Sequence, residues 1–260
     1  MNYKIAIRTC GRYDTIKNKT IKFLEENLIP SDKIFIFCPE NEIEMYKNKL
    51  GDIYTYCIGS SEGVSIVDNL IRSYFDFNDY IIQLDDDIHG LYKKDEKSEI
   101  ITYDLYNLIT NGYNLMIDND LHLWGIYPIK NYYFMKNNIS YDLKFCIGCI
   151  YGYFNTKDII LVDNLRTDFE TTILYFKRDN GVIRFNNYCV KANLYTGKGG
   201  TCDLRTIEKM TTSANYMVTT YPEYCDYKKS KSKYTEIRLK KKPFISLKNH
   251  NSSLLVKNKI

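Results

Sequence analysis

Asp79-Tyr-Ile-Ile-Gln-Leu-Asp-Asp-Asp-Ile88 is an apolar run that ends abruptly in three adjacent carboxylates. Its apolar part reads as a buried strand, of the kind found in parallel sheets covered on both faces. Upstream, strand and helix alternate. Lys4-Ile-Ala-Ile-Arg-Thr9 is a short apolar run stopped by Gly11, and Asp14 to Asn27 carries Ile16, Ile21, Phe23 and Leu24 at helical spacing. Lys33 to Cys38 is a second strand stopped by Pro39, Glu40 to Leu50 a second helix, and Tyr54 to Ile58 a third strand stopped by Gly59. Ser65 to Phe75 is the helix that leads into the quoted strand. This alternation predicts an α/β fold with a mostly parallel sheet and helices on both faces. Ligands of such sheets gather beyond the carboxyl ends of the strands. That rule points to Arg8, Thr9 and Arg12 after the first strand and to Asp85, Asp86 and Asp87 after the fourth.

Three adjacent like charges repel, so they need a reason to sit at the end of a strand. In extended backbone Asp85 and Asp87 share one face and Asp86 points the other way. Two carboxylates on one face suit a hard divalent cation, Mn²⁺ or Mg²⁺, that keeps positions open for diphosphate oxygens. The bland alternative is an acidic turn that merely ends a strand.

A second acidic cluster, Arg166-Thr-Asp-Phe-Glu-Thr-Thr-Ile173, precedes a helical pattern. Asp168 as N-cap and Glu170 in the first turn would both favour a helix start. Either carboxylate is also a candidate catalytic base for an acceptor hydroxyl. Gly197-Lys-Gly-Gly-Thr201, followed by Arg205, is either a flexible turn or a loop whose backbone N–H groups approach a phosphate through Gly199 and Gly200. His89 is a weaker candidate for the metal shell. His122 and Trp124 are candidates for an acceptor pocket, although a Trp in so apolar a stretch is more often core.

The second half is less regular. A helix is expected over Thr102 to Asn111, strands over His122 to Tyr127, Phe145 to Tyr153 and Gly181 to Phe185, and a helix from Glu170 to Lys177. The chain has 260 residues, 44% hydrophobic, enough for one large domain. We place that domain at 1–225 and a basic, mobile tail at 226–260. The segment from Lys228 to Lys242 holds eight Lys or Arg against Glu236, which leaves the rest of the chain at net −3 although the whole is +4. Such a run is a solvated tail or a surface for phosphates. Eight scattered cysteines, no run long enough to span a membrane and a direct start on a strand pattern lead to the expectation of a soluble, intracellular protein with reduced thiols. Cys146-Ile-Gly-Cys149 lacks the second pair that a zinc site requires. The 25 tyrosines and 5 prolines match the bias of an AT-rich genome such as that of a phage or virus.

In order along residues 4–225, Ile5-Ala-Ile-Arg-Thr-Cys-Gly-Arg12, the Gly63-Val64 helix start, Leu84-Asp-Asp-Asp-Ile88, Asp168-Phe-Glu170, Gly199-Gly-Thr201 with Arg205-Thr206, and Tyr221-Pro-Glu223 resemble the TET/JBP-associated glycosyltransferases. The resemblance implies a GT-A (nucleotide-diphospho-sugar transferase) fold, Mn²⁺ or Mg²⁺, and a nucleoside-diphosphate sugar donor, a UDP-sugar first. It also implies hydroxymethylated pyrimidines in DNA as an acceptor. By match, Asp85 and Asp87 hold metal and donor, and Asp168 is the acidic position before the late helix, with Glu170 as its rival. The chain departs from the family at Val67-Asp68-Asn69, where an arginine is expected; Arg72 follows a turn later.

Three functions follow: a glycosyltransferase acting on DNA through the basic tail, the same chemistry on a protein or glycan, and an inactive α/β binding domain. An inverting displacement is the simplest mechanism, with retention left open. A sugar nucleotidyltransferase would carry a glycine-rich loop after the first strand, where this chain has only Gly11.

Overall fold

The computed structural model describes residues 1–97, 100–102, 104–191 and 205–246. Strand β1 (Tyr3–Arg8) is followed by one continuous helical segment made of α1 (Tyr13–Ile16), a π-helical turn at Lys17–Ile21 and α2 (Lys22–Glu26). Then come β2 (Ile34–Cys38), α3 (Ile43–Leu50), β3 (Thr55–Ile58), α4 (Val64–Tyr74) and β4 (Tyr80–Asp85). The second half adds β5 (Leu91–Lys94), β6 (Ile100–Thr102), α5 (Leu105–Asn119), β7 (Leu123–Ile126), β8 (Ile139–Ser140) and β9 (Ile150–Phe154). It ends with α6 (Thr167–Asp179), β10 (Ile183–Phe185), β11 (Tyr188–Val190), α7 (Ile207–Thr220), β12 (Cys225–Lys228) and β13 (Glu236–Leu239).

The main sheet runs in the order β3-β2-β1-β4-β9-β7-β10-β8. The first four strands are mutually parallel, β7 and β10 are parallel, and β9 and β8 run the other way. Strands buried on both sides must be apolar on both sides, and β1, β2 and β4 are. One face packs on the α1–α2 segment, α3 and α5 through Ile16, Leu24, Tyr46 and Leu108. The other packs on α4 and α6 through Ile71, Tyr175 and Phe176. The α/β class expected from the sequence, with a mostly parallel sheet and helices on both faces, is the one observed.

Several boundaries move. Asp104 caps α5 by accepting from the Tyr106 N–H, and the helix runs to Asn119 because Met116 still faces the core. The strand expected over 145–153 is observed as Ile150–Phe154, one residue longer at its end, and residues 145–149 form the approach to it. Helix α6 starts at Thr167 after Arg166, so Asp168 lies in its first turn and is not its N-cap. Of the tail expected at 226–260, residues 226–246 are folded and residues 247–260 lie outside the described residues. There β12 and β13 pair as a hairpin, and Cys225 and Ile237 pack on Met217 of α7. Apolar residues at alternate hairpin positions gain burial against α7 and Ile173 of α6, contacts no local pattern reveals. A small antiparallel sheet, β11-β5-β6, flanks the main one. No helix among the described residues is long and apolar enough to cross a membrane.

Trp124 sits at the centre of the larger core, fully buried. Its indole Nε1 donates to the Tyr80 hydroxyl at 2.7 Å, and that hydroxyl donates to the Ile109 carbonyl at 2.7 Å. A Cβ on Gly152 would stand 2.3 Å from Trp124 Nε1, and one on Gly112 2.4 Å. Gly152→Ala is therefore expected to lower unfolding free energy by about 1–3 kcal/mol through overpacking. Urea denaturation checks this; an unchanged midpoint would contradict the packing.

Candidate functional site

The carboxyl ends of β1 and β4 lie side by side. Their register pairs Arg8 with Asp85, so the two side chains leave the sheet together, and Arg8 Nε donates to Asp85 Oδ1 at 2.8 Å. The same guanidinium reaches three elements. Nη1 donates to both oxygens of Asp68 on α4 at 2.7 Å, and Nη2 donates to the Gly148 carbonyl at 3.0 Å. Burial alone would lower the Arg8 pKa, but Asp68 and Asp85 outweigh it and hold the guanidinium well above its ordinary value.

Asp86 and Asp87 occupy the turn after β4. Asp86 points into the protein, 3% exposed. It accepts from Thr9 Oγ1 at 2.8 Å and pairs with Arg12 at 2.7 Å. Its carboxyl is pushed up to about 7 by burial, against the pull of Arg12 and Thr9, with Asp85 and Asp87 adding to the rise. Thr9 is itself buried against the Tyr46 hydroxyl at 2.8 Å. Asp86 and Thr9, expected as donor contacts, are thus internal braces of the loop. Arg12 reaches Asp87 Oδ2 at 3.3 Å and covers that carboxylate from the first-strand side. Asp85 keeps a side chain 32% exposed; burial raises its pKa, Arg8 lowers it and Asp87 raises it again.

Four carboxylates, Asp68, Asp85, Asp86 and Asp87, share the two guanidiniums of Arg8 and Arg12. The excess of negative charge suits a divalent cation. Asp85 Oδ2 and Asp87 Oδ1 lie outside these pairs, which gives two oxygen donors of the hard type that Mg²⁺ and Mn²⁺ take from proteins. Among the described residues no three His, Cys, Asp or Glu side chains are placed to hold one metal ion together, so the remaining ligands would be phosphate oxygens and water. His89 turns Nδ1 to within 3.2 Å of the Asp87 carbonyl and does not join such a group.

Asp168 arrives at this cluster from α6. A Cβ on Gly148 would stand 3.2 Å from Asp168 Cβ and 3.5 Å from Arg8 Nη2, so a glycine lets the two approach. The buried Cys149 thiol is raised by burial, then by the fields of Asp85 and Asp87; Arg8 opposes the rise and Asp168 adds to it, so these groups share one neighbourhood. Burial pushes the Asp168 carboxyl up to about 6, while the Phe169 N–H, Arg8 and Arg205 hold it down. Arg205 is therefore near Asp168, as its sequence position before α7 allows. Gly199 and Gly200 fall outside the described residues.

Glu170, the rival of Asp168, is elsewhere and fully buried. One oxygen accepts from the Val162 and Asp163 N–H groups at 2.8 and 2.9 Å, and the other from the Tyr216 and Tyr221 hydroxyls, both at 2.9 Å. With both oxygens saturated it braces the 161–163 loop and α7 and cannot take a proton from a substrate in this arrangement. His122 is also displaced: it precedes β7 at the opposite sheet edge, bonded to Asp179, and Trp124 is core.

The sequence reading missed Asp68, which has no motif of its own. Its Oδ1 also accepts from Gln83 Nε2 at 2.6 Å. Its one visible signal was an acid placed where the family pattern has an arginine. Also missed was a groove of ≈ 740 Å³ that borders Asp168 through Phe169. Lys144, Lys228, Lys229, Arg238, Lys240 and Lys241 line it, with Asp226 the one acid among its lining residues. Phe145 and Phe169 pack in it as a tilted pair, with ring centroids 4.5 Å apart and planes at 38°.

No family model and no curated protein matches the chain. Among solved structures, it is similar to one named for a glucose-1-phosphate thymidylyltransferase from Bacillus anthracis, at 12% identity and TM-score 0.43, over 68% of this chain and 84% of that one. A structure named for a nucleotide-diphospho-sugar transferase from Desulfovibrio desulfuricans G20 aligns at 10% identity and TM-score 0.40, over 70% and 78%. Mannose-6-phosphate isomerase from Helicobacter pylori aligns at 11% identity and TM-score 0.34, over 91% and 86%. Likeness at this level carries no argument about reaction or substrate, which rest on the site itself.

The two acids of α6 separate in a stability experiment. Glu170→Ala strands four donors, of which the Asp163 N–H and the Tyr221 hydroxyl are buried, and should cost about 3 kcal/mol or more. Asp168 behaves oppositely, because its folded pKa of about 6 stands above its ordinary value of 3.8. A raised acid favours folding only while protonated, so its contribution declines as pH rises from about 4 to 6. Asp168→Asn should melt higher than wild type at pH 7.5 and at the same temperature near pH 4. Thermal melts across that range check the sign.

Proposed function

We propose that the chain is a GT-A glycosyltransferase that uses a divalent cation at Asp85 and Asp87 to bind a nucleoside-diphosphate sugar, with Asp168 as catalytic base. The observation that carries this reading is the meeting of Asp85, Asp87 and Asp168 at one sheet edge, with Arg8 between them. Two of these acids offer oxygens to a cation. The third has a pKa near 6, so it is ionised at neutral pH and still basic enough to accept a proton.

When bound, the cation would offset charge on the departing diphosphate. The protein's own groups do the rest. Arg8 fixes Asp85, Arg12 fixes Asp87, and Asp168 accepts the proton of an acceptor hydroxyl as that oxygen bonds to the anomeric carbon. The bond from that carbon to the diphosphate breaks, and the nucleoside diphosphate leaves with its electron pair. A single displacement of this kind inverts the anomeric centre.

The cationic groove favours a polyanionic acceptor, and we read DNA as the first choice over protein or glycan. Six cations beside a tilted aromatic pair match a surface that follows phosphates and offers ring faces to bases. The Lys228–Lys242 run thus enters the proposal as a folded wall of the groove.

The test is a thermal-shift and donor-hydrolysis series with UDP-sugars and Mn²⁺, with and without hydroxymethylcytosine DNA, against an EDTA control. Metal-dependent stabilisation is expected, with turnover stimulated by DNA and suppressed by salt. Asp87→Ala should abolish the metal-dependent shift. The rate should rise with pH through about 6 in wild type, and Asp168→Asn should lose at least 100-fold in kcat, the scale of a general base. No response to any nucleotide sugar with metal would sink the proposal.

A further inference from the structure

The helical segment after β1 is not uniform: Lys17–Ile21 winds as a π-helix between α1 and α2. A π turn holds an extra residue and changes which side chains face inward, at a cost in hydrogen-bond geometry that proteins tend to accept at functional positions. Here Thr20 and Ile21 are both buried in succession, alongside Ile16, Phe23 and Leu24. Ile21 packs into the apolar core as its neighbours do. Thr20, fully buried, is the polar member of this inward set.

Its hydroxyl goes to the acidic turn. Thr20 Oγ1 donates to the Asp85 carbonyl at 2.8 Å and accepts from the Ile88 N–H at 3.0 Å. Those are the first carbonyl and last amide of the four residues Asp85 to Ile88, the groups that face each other across a β-turn. One buried oxygen therefore fixes both ends of the segment that carries Asp86 and Asp87. The arginines act on different atoms: Arg8 and Arg12 hold carboxylate oxygens, and Thr9 holds Asp86. Among the described residues, the Asp85 N–H is tied to the Cys149 carbonyl and the His89 N–H to the Lys191 carbonyl, outside the turn on either side.

We propose that Thr20 is a positioning residue for the cation site: its hydroxyl sets the backbone turn and so the spacing of Asp85 and Asp87, and the π turn exists to bring it there. The inference rests on the proposed cation site. The charges at the turn repel, and side-chain pairing alone leaves the peptide backbone between them free to relax. Fixing the backbone keeps the two carboxylates at one separation before the cation arrives, which lowers the reorganisation cost of binding.

The experiment compares wild type, Thr20→Val and Thr20→Ser. Valine keeps the shape and removes the hydroxyl; serine keeps the hydroxyl. Mn²⁺ affinity is measured by titrating the electron paramagnetic resonance signal of the free ion, with UDP present. Amide exchange over residues 85–91 is measured in metal-free protein. We expect Thr20→Val to weaken Mn²⁺ binding at least 10-fold and to speed exchange at Ile88, with Thr20→Ser close to wild type in both. Urea melts confirm that each variant is folded under the conditions used, and Ile16→Val serves as a control that perturbs the same helix without touching the turn. Wild-type Mn²⁺ affinity in folded Thr20→Val, or an equal loss in Ile16→Val, overturns the inference and leaves the cation site standing. Absence of Mn²⁺ binding in wild type overturns the site itself and this inference with it.

Discussion

The guanidinium of Arg8 is the interaction on which the candidate site depends. It leaves the last residue of β1 and joins Asp68 of α4, Asp85 of β4 and the carbonyl of Gly148 before β9. Three separate elements thus meet on one rigid planar group with fixed donor directions, which a lysine could not reproduce. Removal of Arg8 would leave the buried Asp68 carboxylate without its ion pair, whereas either carboxylate alone could still pair the cation. The arrangement places Asp85 before any ligand binds.

Around this anchor the acids divide by environment into different tasks. Asp68 and Asp86 face inward and are consumed by internal pairing. Asp85 and Asp87 retain an oxygen each toward the edge of the sheet. Asp168 is poised by burial against two arginines, which sets its affinity for a proton near neutrality. One residue type thus supplies internal brace, proposed cation ligand and proposed base, and the neighbours alone decide which.

The far side of the site is built by α6, α7 and the β12–β13 hairpin. Glu170 ties the loop before α6 to α7 through two tyrosine hydroxyls, and Arg166 donates to the Met210 carbonyl, Ser213 and the Thr235 carbonyl. These contacts carry the lysine-rich hairpin to the mouth of the groove beside Phe169. A segment that is basic in sequence becomes a wall with a defined orientation because its few apolar residues find a partner on α7.

The sequence by itself determined the first half of the fold. Apolar runs stopped by Gly11, Pro39 and Gly59 mark parallel strands, and helical spacing marks what covers them, because both signals act over a few residues. It also placed Asp85, Asp87, Arg8 and Arg12 at one edge, since strand direction follows from the alternation. Only the tertiary structure decided the rest. Asp168 and Glu170 are two residues apart in the same first turn, yet one meets Arg8 across Gly148 and the other is sealed by four donors. Asp68 and Thr20 carry no motif, and each acts on atoms 60 or more residues away along the chain. A side chain's protonation, exposure and task are set by such distant partners, and local periodicity holds no record of them.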